Sequence, residues 1–282
     1  MELTTQNNAK EHNNMRNITV CIVAVLTILI ACSIAAAGET ITICGTGDSQ
    51  ELLRSLARAY EKGHRGTSIS VPDSIGSGGG VRETASGNCD LGRVARPLKK
   101  KEEKYNLSYK AFAISPVVFV VNPNVNVNSL TTDEINAIFS GKITMWNEVG
   151  GHKGRIYVAN REPGDSSRSV LEKKMQGFKD IKDSVGKIIF STPETTETIR
   201  QYKNTIGYTS FASATAAGLK VISRDGVAPS TENVRSGSYQ TVSPFGIVWK
   251  GELKGLSKSF VDYLYSTEGK KIITQYGAVT AE

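Results

Sequence analysis

Three short segments hold the residue types that can do chemistry in this chain. They are Gly45-Thr46-Gly47-Asp48-Ser49, Gly76-Ser77-Gly78-Gly79-Gly80 and Gly164-Asp165-Ser166-Ser167. Each mixes glycine, which lets the backbone approach a ligand closely, with hydroxyl side chains that donate hydrogen bonds without carrying charge. At the start of a helix, such a segment aims unpaired N–H groups and the positive end of the helix dipole at one point, which suits an anion. One loop of this kind is an ordinary strand-to-helix turn, whereas three converging on one crevice would make a site. None is a nucleotide loop, because neither G-x-x-x-x-G-K-[ST] nor a complete G-x-G-x-x-G occurs. The ligand expected is therefore a small oxyanion.

Covalent and metal chemistry find little support. Gly47-Asp48-Ser49 resembles the nucleophile block of GDSL-type esterases, but that chemistry needs a histidine base. The histidines are His12, His64 and His152, none follows residue 152, and no Asp-x-x-His pair exists. The histidines and cysteines after residue 37 show no metal-ligand spacing. No catalytic residue, metal or cofactor is assigned.

The elements that must position these loops alternate. Strands are expected at 40–44, 67–71, 90–95, 113–121, 155–159, 188–190, 206–211 and 242–249. Helices are expected at 51–61, 81–86 (opened by the preceding glycines), 132–139 (capped by Thr131 or Thr132), 167–176, 194–202, 256–265 and 267–276. The opening β-α-β-α-β order implies a parallel sheet covered by helices. The three loops then lie outside the carboxyl ends of strands, where open α/β sheets bind ligands.

Composition agrees with a globular α/β protein: 39% hydrophobic and 22% charged among 282 residues. The net charge is +7. Residues 1–37 contribute Lys10 and Arg16 against Glu2 and Glu11, so the rest is still basic and can steer anions. The run Lys99-Lys100-Lys101, followed by Glu102-Glu103-Lys104, reads as a solvated loop or helix start rather than a nucleic-acid surface. The apolar stretch 18–37 follows basic residues and ends in Ala35-Ala36-Ala37. It is a cleaved export signal, a lipobox that anchors Cys32, or an uncleaved span. All three place residues 38–282 outside the cytoplasmic membrane, in the periplasm or on the cell surface. Cys21 and Cys32 lie in this stretch, and Cys44 and Cys89 are expected to be small buried thiols.

Longer motifs carry a family resemblance. Ile75-Gly76-Ser77-Gly78-Gly79-Gly80-Val81, Gly87-Asn88-Cys89-Asp90-Leu91-Gly92, Arg96-Pro97-Leu98, the stretch from Ile138 to Gly151, and Asn160-Arg161-Glu162 through Arg168 resemble the phosphate-binding component of Pst-type ABC transporters. Ile206-Gly207-Tyr208 and Thr267 to Ile272 continue the likeness. The resemblance implies a type II periplasmic-binding-protein fold of two α/β lobes, about 39–112 plus 240–282 and about 113–239, joined by a hinge. It implies a monomer that captures phosphate and docks on a membrane permease. The ligand contacts carried over fall on Thr46, Gly47, Ser77, Arg161, Ser166 and Ser167, with Gly78 and Arg96 bordering the set.

Two departures bear on the ligand. Ala95 stands where the family often has Asp or Ser, and Gly-Asp-Ser-Ser at 164–167 replaces Gly-Ser-Gly-Thr. Asp165 then either accepts the proton that phosphate carries and sulfate lacks, or caps its helix facing away. Asp48 has the same two readings, with capping preferred. Arg161 is either the fixed cation of the site or the partner of Glu162 on the surface. Arg93, Arg96 and Arg168 either enter the crevice or pair structurally. Trp146, Tyr208 and Tyr239 are read as core. The other readings are a binder of sulfate, molybdate or tungstate, and a sensor or adhesion module on the same fold.

Overall fold

The computed structural model describes residues 38–281. The segment 1–37, expected to be a signal or anchor, lies outside the described residues. The chain begins with β1 (Glu39–Gly45), α1 (Gln50–Gly63), β2 (Thr67–Ser70), α2 (Gly76–Ser86) and β3 (Leu91–Val94). A 3-10 turn over Lys100–Tyr105 leads into the long β4 (Leu107–Val121). Then come β5 (Ser129–Leu130), α3 (Thr132–Phe139), β6 (Tyr157–Arg161), α4 (Ser166–Lys174), β7 (Lys187–Ile189), α5 (Thr192–Gln201), β8 (Thr205–Ser210) and α6 (Phe211–Ala216). The chain finishes with β9 (Lys220–Val221), β10 (Ser223–Arg224), α7 (Thr231–Arg235), β11 (Val242–Lys250), α8 (Gly255–Leu264), α9 (Thr267–Gln275) and β12 (Val279–Thr280).

The main sheet runs β2-β1-β3-β11-β4-β8-β6-β7. The opening β-α-β-α-β stretch gives the expected parallel pair β1–β3. The sheet as a whole is mixed, because β11 returns antiparallel to both β3 and β4. β4 joins its two halves. Leu107–Pro116 pairs with β11, and Val117–Val121 pairs with β8.

Three large apolar clusters flank this sheet, with a smaller fourth of Val81, Val94 and Val248. One gathers Leu52, Leu53 and Leu56 of α1 with Ile43, Phe112, Phe245 and Phe260. Beyond Ser115, β4 is buried on both faces. Val117, Phe119 and Val121 meet Ile135, Phe139, Trp146 and Tyr208 on one side, and Val118 and Val120 meet Ile199 and Tyr239 on the other. Trp146, Tyr208 and Tyr239 are core residues, as read from the sequence.

Cys44 and Cys89 correct the expectation of separate thiols, since they form a disulfide with Cα atoms 6.1 Å apart. β1 and β3 pair with Cys44 opposite Gly92, so the turn from α2 into β3 brings Cys89 back beside β1.

Two glycines allow α2 to lie against β1 and β3. Gly45 has φ +143°, and a Cβ there would sit 2.0 Å from the Arg93 carbonyl oxygen. A Cβ on Gly80 would lie 2.8 Å from both the Cys44 carbonyl oxygen and the Gly45 Cα.

Candidate functional site

The C-terminal ends of β1, β6 and β7 meet the first turns of α2, α4 and α5 around one cavity of about 470 Å3. Thr46, Gly47, Ser77, Gly78, Arg96, Arg161, Asp165 and Ser166 line it. The three loops singled out in the sequence therefore open on one crevice. Asp48 and Ser167 stand behind its wall, where Ser167 Oγ donates to Asp48 Oδ2 at 3.3 Å.

Arg161 ends β6 and is 3% exposed. Its guanidinium pairs with Asp165 Oδ2 at 2.7 Å and donates to Thr192 Oγ1 and the Ile189 carbonyl oxygen, each at 3.2 Å. The pairing with Glu162 exists at a looser 3.5 Å, but burial takes Arg161 off the surface. Its backbone is fixed as well. The Arg161 N–H donates to Asn160 Oδ1 and Tyr208 Oη, and Arg168 donates to its carbonyl. Burial works against the guanidinium charge, but Asp165, then Asp48 and Glu162, hold its pKa above the ordinary value.

Asp165 has both of its oxygens engaged. Oδ1 caps α4 by accepting the Arg168 N–H at 2.9 Å, and Oδ2 holds Arg161. Capping does not turn it away from the crevice, since it remains part of the cavity wall.

Asp48 corrects the capping expectation. The N-cap position of α1 is Ser49, with no side-chain cap, while the Asp48 carboxylate accepts from Thr192 Oγ1 at 2.9 Å and from Ser167. Burial, then Asp165, push its carboxyl up to about 6, against the pull of Arg161 and the two hydroxyls. The Asp48 carbonyl also takes Ser210 Oγ and Ser213 Oγ. One buried residue thus ties the loop after β1 to α4, α5 and α6.

Ser77 Oγ accepts the Ala95 N–H at 3.0 Å and meets Ser166 Oγ at 3.0 Å across the crevice. The first turn of α2 has no side-chain cap at Ile75, and Gly76, Ser77, Gly78 and Gly79 all line the cavity. The Gly76 N–H donates to Ser74 Oγ at 3.4 Å, and the N–H groups after it are of the kind a helix start offers to an anion.

The other arginines singled out in the sequence have protein partners. Arg93 is buried and donates to the carbonyls of Thr46, Ile43 and Pro72 and to Gln50. Burial first, then Arg54, bring its guanidinium down to about 10. Arg96 lines the cavity but donates to both oxygens of Glu102, at 2.8 and 2.7 Å. Arg168 pairs with Glu172 at 2.7 Å.

Thr192 was missed in the sequence. It lines the cavity and relays Arg161 to Asp48. The available signal was Ser191-Thr192-Pro193-Glu194, a helix start directly after a strand, in which Ser191 Oγ accepts the Glu194 N–H.

Among the described residues, no imidazole serves the Gly47-Asp48-Ser49 segment. His64 stacks on Tyr60, and His152 bonds Asn126 and Asn204. The arrangement can hold an anion with one guanidinium, several hydroxyls and a helix N-terminus.

Known proteins share this architecture. The PBP superfamily domain matches residues 33–268. The phosphate-binding protein PstS of Bacillus subtilis is 31% identical over 257 residues, covering 86% of this chain and 81% of that protein. A Clostridium perfringens protein described as a phosphate ABC transporter substrate-binding protein, solved with bound phosphate, superimposes with a TM-score of 0.76. It is 27% identical over 86% of this chain and 100% of that one. An ABC-type phosphate transport receptor from Vibrio cholerae gives 0.60 at 26% identity, with the same two coverages. Three loops around a buried arginine, on a fold shared with these proteins over most of its length, place the chain in the PBP superfamily, in the family of PstS phosphate-binding proteins.

Proposed function

We propose that this protein is an extracytoplasmic solute-binding protein that captures phosphate and delivers it to the permease of an ABC transporter. The observation that carries the reading is the meeting of Thr46, Ser77 and Ser166 with Arg161 and the glycine-rich start of α2 in one cavity. Hydroxyls and backbone N–H groups stand there beside the buried Arg161, so an oxyanion can exchange its water for hydrogen bonds from the protein. The relatives that carry phosphate-binding names share the architecture over most of both chains. The disulfide is in keeping with an oxidising, extracytoplasmic location.

The lobes follow the same reading: about 39–112 plus 240–282, and about 113–239, working as a monomer. Support comes from the separate apolar clusters on the two halves of the sheet. The hinge falls where β4 changes partner from β11 to β8. Opening would part Ser77 from Ser166 and Asp48 from Ser167 and Thr192, and anion binding would favour their return. The closed form docks on the permease with no covalent step.

Asp165 selects for phosphate in this reading, because a protonated phosphate can donate to a carboxylate that repels sulfate. Calorimetry with phosphate, sulfate and molybdate at about pH 5 and about pH 8 tests it. Tight phosphate binding with sulfate ignored is expected, and Asp165→Asn should narrow the preference. Sulfate or molybdate bound in place of phosphate would overturn the ligand, and no anion bound would overturn the function.

A further inference from the structure

Asp48 sits in the loop after β1, yet its oxygens are held from the other half of the sheet. Its carboxylate accepts from Thr192 Oγ1 at 2.9 Å and from Ser167 Oγ at 3.3 Å, and its carbonyl accepts from Ser210 Oγ at 2.7 Å and Ser213 Oγ at 3.1 Å. Those donors belong to α5, α4, the end of β8 and α6. The residue is 1% exposed, so the carboxylate is shut away from water between the two halves. Two neutral hydroxyls satisfy its oxygens without cancelling its charge. Arg161 reaches it through Thr192, and Arg161 is already paired with Asp165 at 2.7 Å. One guanidinium thus serves two buried acids, and an anion bound beside it would add a further negative charge.

The surroundings favour a proton on Asp48. Burial first, and Asp165 next, push its carboxyl up to about 6, with Arg161, Thr192 and Ser167 opposing. Glu162 and Arg168 stand one contact further off, on the side chain and the carbonyl of Arg161. Tyr208 on β8 is held above its ordinary value by burial and stays neutral. Arg93 on β3 reaches this loop through the Thr46 carbonyl, and α6 carries no charged residue. A protonated Asp48 keeps its place, because its O–H can donate to Ser167 Oγ while the other oxygen still accepts from Thr192. Parting the two halves would return the carboxyl to water and move it away from Asp165, so the closed form binds this proton more tightly than an open one.

Resting on the two-lobed, anion-capturing reading above, we propose that Asp48 is a latch between the lobes and takes up a proton from solvent as they close on the anion. Protonation removes one of the two acids from Arg161 and leaves more of the guanidinium's charge to the anion. The contribution of Asp48 to affinity is then complete below about pH 4 and is lost as pH rises through about 6, the sign expected for a group whose proton is held more tightly after closure.

Calorimetry of orthophosphate binding to the full chain at about pH 5, in two buffers of different ionisation enthalpy, counts the protons exchanged per anion. Protons gained or lost by the phosphate itself or by Asp165 are common to the wild type and Asp48→Asn, so the difference between them reports Asp48. The wild type should take up about one proton more than the variant, and between about pH 7 and about pH 5 its affinity should gain about tenfold more. Weaker binding in Asp48→Asn with an unchanged proton count would make Asp48 merely structural, overturning the latch and leaving the function above intact. Should the variant fail to fold, small-angle scattering of the wild type without phosphate decides. A radius of gyration that falls from about pH 7 to about pH 5 supports the latch, and a constant or rising one overturns it. If the wild type binds no phosphate, the function falls and the same scattering series judges the latch by itself.

Discussion

Arg161 and the carboxylates around it decide what the site can bind and how stable it is. Asp165 at 2.7 Å and Asp48 behind Thr192 make Arg161 the cation for two buried acids. Arg161→Gln should abolish anion binding in calorimetry. It should also lower the unfolding free energy by about 3–5 kcal/mol, because it strands buried charge. Adding Asp165→Asn should recover part of the stability and none of the binding, which denaturant titration can read. Asp48 predicts a pH effect of definite sign. Its carboxyl lies at about 6 in the fold against an ordinary 3.8, so the native state holds this proton more tightly than the unfolded chain. Its contribution favours the fold below about pH 4 and is lost as pH rises through about 6, a change of about 3 kcal/mol. Urea midpoints measured across that window should fall less steeply in Asp48→Asn, and an unchanged slope would show that another group is responsible.

Among the elements, α2 shows how packing overrules propensity. Four of its first five residues are Gly76, Gly78, Gly79 and Gly80, a poor start for a helix. It forms because glycine lets the helix lie directly on the backbone of β1. Gly80→Ala should therefore destabilise the protein by about 1–2 kcal/mol even though alanine is the better helix former by ~1 kcal/mol. The same change should weaken anion binding by moving the start of α2 away from Thr46. A thermal melt and a titration of one purified variant check both. β4 was legible only in part. Its apolar run 113–121 stands out, but Leu107–Ala111 alternates half-buried and exposed residues and reads as loop until β11 is set beside it. α6 was missed because Phe-Ala-Ser-Ala-Thr-Ala has no marked apolar face, and its cap, Ser210, ends the preceding strand.

The whole molecule is cross-linked near its site. The Cys44–Cys89 bridge closes 45 residues of sequence, enclosing α1, β2 and α2. Cys44→Ser/Cys89→Ser should cost about 3–4 kcal/mol by the chain-entropy account. Unfolding the protein with and without reductant should show the same loss in the wild type and none in the variant. The bridge holds β1 to the turn before β3, so the variant should also bind anions more weakly.

Local signals in the sequence determined the fold class and the three anion-facing loops. Glycine and hydroxyl residues at strand ends, caps such as Thr131 and the spacing of Leu52, Leu53 and Leu56 act over a few residues, and they hold wherever the chain folds. The resemblance supplied Arg161 and the architecture. Only the tertiary structure decided which partners those residues take. Asp48 meets Thr192 across 144 residues of sequence, and Cys44 meets Cys89 across 45. Asp48 is not a cap, the thiols are not free, and Thr192 belongs to the site. In each case the deciding term is burial against a residue far along the chain, which sequence spacing does not encode.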